Sequence, residues 1–72
     1  MLKLGKYKHF KGKEYEVLAI AKHSETLEEY VVYKELYGNY DIWIRPLKMF
    51  EETITRDNKT IKRFEYIGDD IK

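Results

Sequence analysis

Two runs of aromatic and β-branched residues, separated by one glycine and one asparagine, form the clearest hydrophobic pattern in the chain. The runs cover residues 30–37 and 40–45, and Gly38 and Asn39 lie between them. Glycine at the first central position of a two-residue loop favours a type II′ turn. The pattern therefore predicts an antiparallel β-hairpin.

A two-residue loop also fixes which residues face each other across this hairpin. Successive side chains of a strand point to opposite faces, so the loop length decides which face is buried. The residues predicted to face the core are Val31, Tyr33, Ile42 and Ile44. Trp43 and Arg45 are predicted on the opposite, exposed face, with the Lys34 ammonium across from the indole in a cation–π contact. A loop one residue longer would instead place Trp43 inside.

A helix is the alternative for the first of the two runs. Thr26 and Glu29 match a capping box, and charged residues follow at helical spacing. However, β-branched and aromatic residues at this density lose rotamer freedom in a helix and pack well on a sheet. The sequence therefore favours a strand.

Shorter alternating patterns before and after the hairpin predict further strands. They cover residues 5–10, 14–23, 51–55 and 60–67. Both faces of residues 14–23 become apolar midway, which indicates a strand long enough to bend and serve two packed layers. Phe64 and Tyr66 are predicted to be buried, and residues 68–72 are predicted to be a loose tail.

The single proline marks the end of the central hairpin. Pro46 cannot donate to a strand ladder, so residues 46–50 are predicted to form a short 3₁₀ turn. Leu47, Met49 or Phe50 would fill one end of the core. Strands joined by short turns predict one all-β domain over residues 1–72, a strongly bent antiparallel sheet closing into an SH3-like barrel of five to six strands. An OB-like arrangement also fits.

Composition limits the possible functions and compartments. A chain of 72 residues buries only roughly 60% of its surface on folding, and without cysteine no disulfide can add stability. No apolar run reaches the length of a signal peptide or a membrane helix, so we expect a soluble cytoplasmic protein. Charged residues are 38% of the chain but cancel to a net charge of +1, which gives no overall attraction to nucleic acid.

The sequence also resembles a known family. The residues that carry the resemblance are Gly5, Tyr7, His9, Lys11, Gly12, Tyr15, Val17, His23, Ser24, Glu25, Thr26, Val31, Val32, Tyr33, Leu36, Tyr37, Gly38, Trp43, Arg45, Pro46, Met49, Phe50, Arg63 and Phe64. In these residues the chain is similar to the small bacterial family called domain of unknown function 1653. The resemblance covers residues 5–64 and implies a compact β fold, often as a free-standing domain. It implies no particular activity.

Catalytic and metal-binding patterns are weak. His9, His23 and Glu25 could in principle supply two nitrogens and a carboxylate to a metal, but their spacing is not that of a ligand set. Ser24 follows His23 directly, and adjacent residues of an extended chain point to opposite faces, so a nucleophile and base pair is not implied. We therefore predict no enzyme activity, no metal and no cofactor, and keep a hydrolase-like or metal site at residues 23–25 as a minor alternative.

A binding surface is the better hypothesis, because Tyr, Trp and Arg are favoured at protein interfaces and in stacking on bases. The candidate binding residues are Tyr7, His9, His23, Ser24, Glu25, Thr26, Tyr37, Trp43 and Arg45. Core packing competes for the same aromatic rings. We expect a protein or peptide partner, with single-stranded nucleic acid as the alternative, in which the lysines near the N-terminus would follow the phosphates. The chain itself is expected to be a monomer or a weak homodimer.

Overall fold

The computed structural model describes residues 2–68, which form seven β-strands and one short helix. The elements in chain order are β1 (Gly5–His9), β2 (Glu14–Lys22), β3 (Glu29–Glu35), β4 (Ile42–Pro46), α1 (Leu47–Phe50), β5 (Thr53–Arg56), β6 (Lys59–Lys62) and β7 (Phe64–Gly68). The predicted all-β class is confirmed, but residues 2–68 contain seven strands where five to six were predicted, because the segment predicted as one strand at residues 60–67 forms parts of β6 and β7. The strand across residues 29–35 also excludes the helix considered for that segment.

The strands form two antiparallel sheets. The larger sheet has five strands in the order β4-β3-β2-β1-β7, and β5 and β6 form a separate hairpin. Within residues 2–68, the edge strands β4 and β7 do not pair with each other, so the predicted closure into an SH3-like barrel is not confirmed. The turn between β5 and β6 consists of Asp57 and Asn58, both with positive φ.

A β-bulge explains why both faces of β2 are apolar. The pairing of β2 with β3 shifts between Val17 and Ala19, so Leu18 is the extra residue. A bulge reverses the alternation of side chains and bends the strand. Val17 before the bulge and Ile20 after it therefore both pack toward the core. The predicted bend of this strand has this physical cause.

The predicted register of the central hairpin is wrong by one residue. Tyr33 pairs with Trp43 and Val32 with Ile44, whereas the prediction paired Tyr33 with Ile44. The connection is longer than a two-residue turn, because β3 ends at Glu35 and β4 begins at Ile42. Consequently Trp43 lies on the same face as Tyr33, and the predicted cation–π contact with Lys34 is replaced by a bond from the indole to Glu35.

The core lies on the face of the large sheet that α1 covers. Its buried residues are Tyr7, Val17, Val31, Tyr33, Phe50 and Phe64. The Phe50 and Phe64 rings stack with centroids 4.1 Å apart. The turn predicted as 3₁₀ is instead one turn of α-helix, because the N–H of Glu51 bonds the carbonyl of Leu47 four residues earlier. Phe50 is the residue of this turn that fills the core. Phe64 is buried as predicted, and Tyr66 is partly buried against the same cluster.

Two expectations concern the ends and the compartment. Of the predicted loose tail, Gly68 is instead the last residue of β7 and pairs with Lys6, and residues 69–72 lie outside the described residues. No helix within residues 2–68 has the length and hydropathy needed to cross a membrane.

Candidate functional site

Trp43 is held in place by a carboxylate from the neighbouring strand. Its indole Nε1 donates a 2.8 Å hydrogen bond to Oε1 of Glu35. Only 9% of Glu35 is exposed, which is unusual for a glutamate. The bond satisfies the buried acceptor and fixes the orientation of the ring, although half of the Trp43 surface remains exposed.

Arg45 lies two residues further along β4 and on the same face. Its Nε donates to the hydroxyl of Tyr33 at 3.4 Å, and its guanidinium lies 5.5 Å from the centroid of the Phe64 ring. The side chain is half-buried. Because the guanidinium has five N–H donors, the bond to Tyr33 leaves others available to a further acceptor. The prediction that Trp43 and Arg45 lie on the face opposite Tyr33 is therefore wrong.

Tyr37 forms a hydrogen bond with Tyr15. The two hydroxyls are 2.7 Å apart, and the Lys13 ammonium lies 4.5 Å from the centroid of the Tyr37 ring. Burial, followed by the hydrogen bond to Tyr37, raises the pKa of Tyr15 above its ordinary value. The Tyr15 phenol is thus neutral at physiological pH, and either of the two hydroxyls can be the donor in their hydrogen bond.

His9 lies at the border of the core. Its ring contacts Phe64 edge-on at 4.9 Å, and Nδ1 accepts a 3.2 Å hydrogen bond from the backbone N–H of Lys11. Burial lowers the pKa of His9, and the positive charges of Arg63, Arg45 and Lys11 lower it further. The imidazole is therefore neutral at physiological pH, with Nδ1 engaged as an acceptor.

Tyr7, by contrast, is a core residue. Only 4% of it is exposed, and its hydroxyl donates a 2.7 Å hydrogen bond to the carbonyl of Lys3. Burial raises the pKa of Tyr7 above its ordinary value. Its ring packs edge-on against Phe50 and Tyr66. It supports the sheet from within and exposes little of its surface.

The turn at residues 23–26 lies at the other end of the β2–β3 hairpin. His23 Nδ1 accepts hydrogen bonds from the backbone N–H groups of Glu25 and Thr26, so the imidazole stabilises the turn. Glu29 lies next to this turn, and Glu35 follows it six positions later in β3, a span of about 20 Å at roughly 3.3 Å per residue. The structure therefore does not bring residues 23–26 to the Trp43 indole.

Metal ligands do not converge anywhere in the described part of the chain. Across residues 2–68, no group of three histidine or acidic side chains is close enough to hold an ion. His23 uses Nδ1 for its own turn, as His9 does for the turn at Lys11. Within that range these imidazoles serve the local backbone.

The most exposed large apolar residues of the large sheet lie on β4, at its edge. Ile42, Trp43 and Ile44 are 59%, 50% and 65% exposed. Ile42 and Ile44 lie on the outer face, where Val32 pairs with Ile44, so the prediction that they are core residues is wrong. We call Ile42, Trp43, Ile44 and Arg45 the β4 surface. It presents apolar side chains on both faces of one edge strand.

On the outer face, the β4 surface extends from the edge strand toward the middle of the sheet. A shallow depression beside Ile44 is lined by Ala21, His23 and Tyr30, among others. Ala21 pairs with Tyr30, so the depression crosses from β4 to β2. His23 thus reaches the candidate surface at its outer side, whereas Tyr37 and His9 lie on the inner side.

Sequence reasoning identified Trp43 and Arg45 but missed several residues that position them. The predicted site included neither Glu35 nor Tyr15, and Tyr33 and Phe64 were predicted only as core residues. The alternation of β3 places Glu35 on the same face as Val31 and Tyr33. That alternation was a signal in the sequence for a buried carboxylate that needs a donor.

Comparison with known proteins agrees with this description of the fold. Residues 5–66 match the model of the family described as "Protein of unknown function (DUF1653)". The chain belongs to the DUF1653 family. A crystal structure of a DUF1653 protein from Bordetella bronchiseptica is similar, with 33% sequence identity and a TM-score of 0.86 over 99% of this chain and 94% of that one. The search of curated proteins found no match.

Proposed function

We propose that this DUF1653 domain is a non-catalytic binding module that recognises an extended segment of a protein or peptide through the β4 surface. The observation that carries the proposal is the run of three consecutive exposed apolar residues on an edge strand. Such a run is a liability for aggregation unless it serves a contact. An added strand would cover it.

Strand addition uses both the backbone and the side chains of an edge. Unpaired N–H and C=O groups of the edge bind the incoming backbone, and alternate side chains give selectivity. Here the indole of Trp43 is already oriented by Glu35 and the guanidinium of Arg45 by Tyr33. Side chains that are held in their bound orientation lose less conformational entropy on binding. These contacts support a protein ligand.

The lysines near the N-terminus give less support to single-stranded nucleic acid. The Lys6 ammonium lies 2.9 Å from a carboxylate oxygen of Glu14, and Lys8 faces Glu14 across the strands. Carboxylates beside these ammonium groups weaken their attraction to phosphates. We therefore place the protein partner first and treat nucleic acid as an outcome of the test.

The test is affinity capture from a bacterial lysate with and without nuclease. The bait is the intact chain, an Ile44→Lys variant, or an Ile61→Lys control, which places the same charge on an exposed isoleucine of β6. We expect proteins that are retained by the intact chain and the control, lost with Ile44→Lys and unaffected by nuclease. A double change of Trp43→Ala and Arg45→Ala should remove the same proteins.

Two outcomes would count against the proposal. Equal recovery by the intact chain and Ile44→Lys would refute the β4 surface as the binding site. Recovery that depends on intact nucleic acid and weakens steeply with salt would favour the nucleic-acid alternative. If the proposal holds, a protein that the intact chain retains can be purified and added to the chain. Its binding should slow hydrogen exchange at the backbone amides of Ile42 and Ile44.

A further inference from the structure

The free backbone groups of β4 can be assigned from one hydrogen bond. The N–H of Glu35 donates to the carbonyl of Asp41 at 3.0 Å, in register with the Tyr33 and Trp43 pair. In an antiparallel ladder, residues that bond the neighbouring strand alternate with residues whose N–H and C=O point away from it. Asp41, Trp43 and Arg45 therefore bond toward β3. The N–H and C=O groups of Ile42 and Ile44 point to the open edge.

The sequence of this edge is complementary to itself when reversed. Residues 41–45 read Asp-Ile-Trp-Ile-Arg. If two copies run antiparallel about an axis through Trp43, Asp41 of each copy faces Arg45 of the other. Ile42 faces Ile44 in the same way. Every opposed pair is then either apolar or of opposite charge, which is the favourable condition across strands.

We infer that the partner of the β4 surface is a second copy of this chain, paired antiparallel through β4 with its twofold axis at Trp43. The inference rests on the proposed function, because it names the partner of that same surface. A twofold contact of this kind is isologous and closes on itself as a dimer. The two large sheets would join into one continuous sheet.

The hydrogen-bond pattern fits this axis. With the axis at Trp43, Ile42 and Ile44 of opposite copies form the bonded pairs, and their free N–H and C=O groups supply four hydrogen bonds. The two Trp43 residues form the non-bonded pair, in which side chains come closest. The hydrogen bonds between the two copies use no backbone N–H or C=O group that already bonds β3. The ladder of each sheet therefore continues into the other without rearrangement.

Other registers use the edge less well. An axis at Ile44 would bring Pro46 into a bonded pair, where it has no N–H to donate. An axis at Ile42 would bring Tyr40 opposite Ile44, although Tyr40 has a φ of 56° and lies outside the strand. Only the axis at Trp43 uses extended residues with free N–H groups and opposes unlike charges.

The charges that the dimer needs are available. Asp41 is exposed, and within residues 2–68 the ion pairs are Lys6 with Glu14 and Arg63 with Glu52. The Asp41 carboxylate is therefore outside the observed ion pairs. Arg45 keeps donors beyond its bond to Tyr33. Each partner can thus form the cross-strand pair without breaking one seen in the monomer.

Sedimentation equilibrium of the purified chain over a range of concentrations is the first test. We expect the average mass to rise from 8.8 kDa toward twice that value. Asp41→Arg alone and Arg45→Asp alone each oppose like charges across the axis, and each should raise the dissociation constant about tenfold or more. Lys48→Glu, on the exposed surface of α1, is the matched control and should leave the constant unchanged.

Mixing the two charge variants gives the decisive result. The Asp41→Arg chain carries arginine at both positions and the Arg45→Asp chain carries aspartate at both, so the mixture opposes only unlike charges. Association should return to its original strength in the mixture although each variant alone associates more weakly. A destabilised variant would not produce this rescue, and circular dichroism of each chain monitors folding. Absence of rescue between two folded variants would overturn the inference.

Cysteine cross-linking tests the register independently. The chain has no cysteine, so introduced thiols are the only ones present. An Ile42→Cys chain mixed with an Ile44→Cys chain should form a disulfide between the two, because these positions are opposed. Each variant alone should cross-link much less, because its two thiols lie on diagonal positions. Equal cross-linking of each variant with itself would contradict the axis at Trp43.

The two proposals fail in different ways. A purified chain that keeps the mass of a monomer at its highest attainable concentration overturns the inference of a second copy. Capture of a different protein in an Ile44-dependent manner would then leave the proposed function standing. A dimer that shows the charge rescue but captures no other protein would confirm self-association alone.

Discussion

The indole Nε1 of Trp43 and the carboxylate of Glu35 are joined by a 2.8 Å hydrogen bond across two neighbouring strands. Glu35 is almost fully buried, whereas Trp43 is half-exposed. A buried carboxylate requires donors, and an exposed ring requires something to hold it in one orientation. The bond meets both requirements and couples the stability of the sheet to the shape of the β4 surface.

Replacing the indole should therefore destabilise the fold although the residue is half-exposed. Trp43→Phe removes the N–H and leaves a buried carboxylate oxygen with one donor fewer, at an expected cost of about 1–3 kcal/mol in the free energy of unfolding. Urea denaturation monitored by circular dichroism measures this loss in the free energy of unfolding. Tyr40→Phe, at an exposed aromatic position, is the control and should change stability by less than about 0.5 kcal/mol.

A double-mutant cycle separates this bond from the loss of ring area. Glu35→Leu with and without Trp43→Phe should give a coupling energy of about 0.5–3 kcal/mol. If the effects of the two substitutions simply add, the hydrogen bond does not link the residues energetically.

The class of the fold was predictable because each strand carries a local signal. Except in the central hairpin and the last strands, alternation, turn residues and the proline predicted the strand boundaries to within one or two residues. The prediction of one strand at residues 60–67 missed a break at residue 63. Strand β6 ends at Lys62 and belongs to the hairpin with β5, whereas β7 begins at Phe64 and pairs with β1. That change of partner is a long-range contact without a local signature.

The register of the central hairpin was not predictable from hydrophobicity, because β4 is apolar on both faces. Ile42 and Ile44 suit a core, and so does Trp43, so the pattern alone allows either face to be inside. The loop decides. Gly38 and Tyr40 both have a φ of 56°, and the N–H of Glu35 bonds the carbonyl of Asp41, which closes a longer connection than the two-residue turn that was assumed.

The core beneath α1 should be sensitive to loss of one ring. Only 1% of Phe50 is exposed, and it stacks on Phe64, so Phe50→Ala should cost about 3–5 kcal/mol of unfolding free energy. Met49→Ala on the same helical turn is exposed and should cost less than about 1 kcal/mol. Thermal and urea denaturation compare the two. Similar losses would show that α1 does not anchor the core through Phe50.

Alkaline pH should destabilise the fold through Tyr15. Its pKa in the folded chain is raised above the ordinary value of 10.0, first by burial and then by the bond to Tyr37. The folded state holds this proton more tightly, so the stabilisation is complete below pH 10 and is lost as the pH rises through the higher folded pKa. Tyr15→Phe should flatten the fall in stability above pH 10, as measured by urea denaturation.

The bond between the two phenols can be tested in the same titration. Tyr37→Phe removes the partner hydroxyl, and the pKa of Tyr15 should fall toward its ordinary value while remaining above it because burial persists. Carbon-13 NMR of the tyrosine Cζ atoms measures it. Tyr40→Phe is the control and should leave the pKa of Tyr15 unchanged. An equal fall of this pKa in the control would show that the bond to Tyr37 is not the cause.

Mild acid should destabilise the fold through His9. Its folded pKa lies below the ordinary value of 6.5, so the unfolded chain binds the proton first and stability falls as the pH drops from 6.5 through the folded pKa. NMR titration in a His23→Asn background assigns the remaining imidazole signal to His9. His9→Asn retains an acceptor near Lys11 without a titrating group, so its unfolding free energy should depend less on pH over this range. An unchanged dependence would remove His9 as the cause of the acid sensitivity.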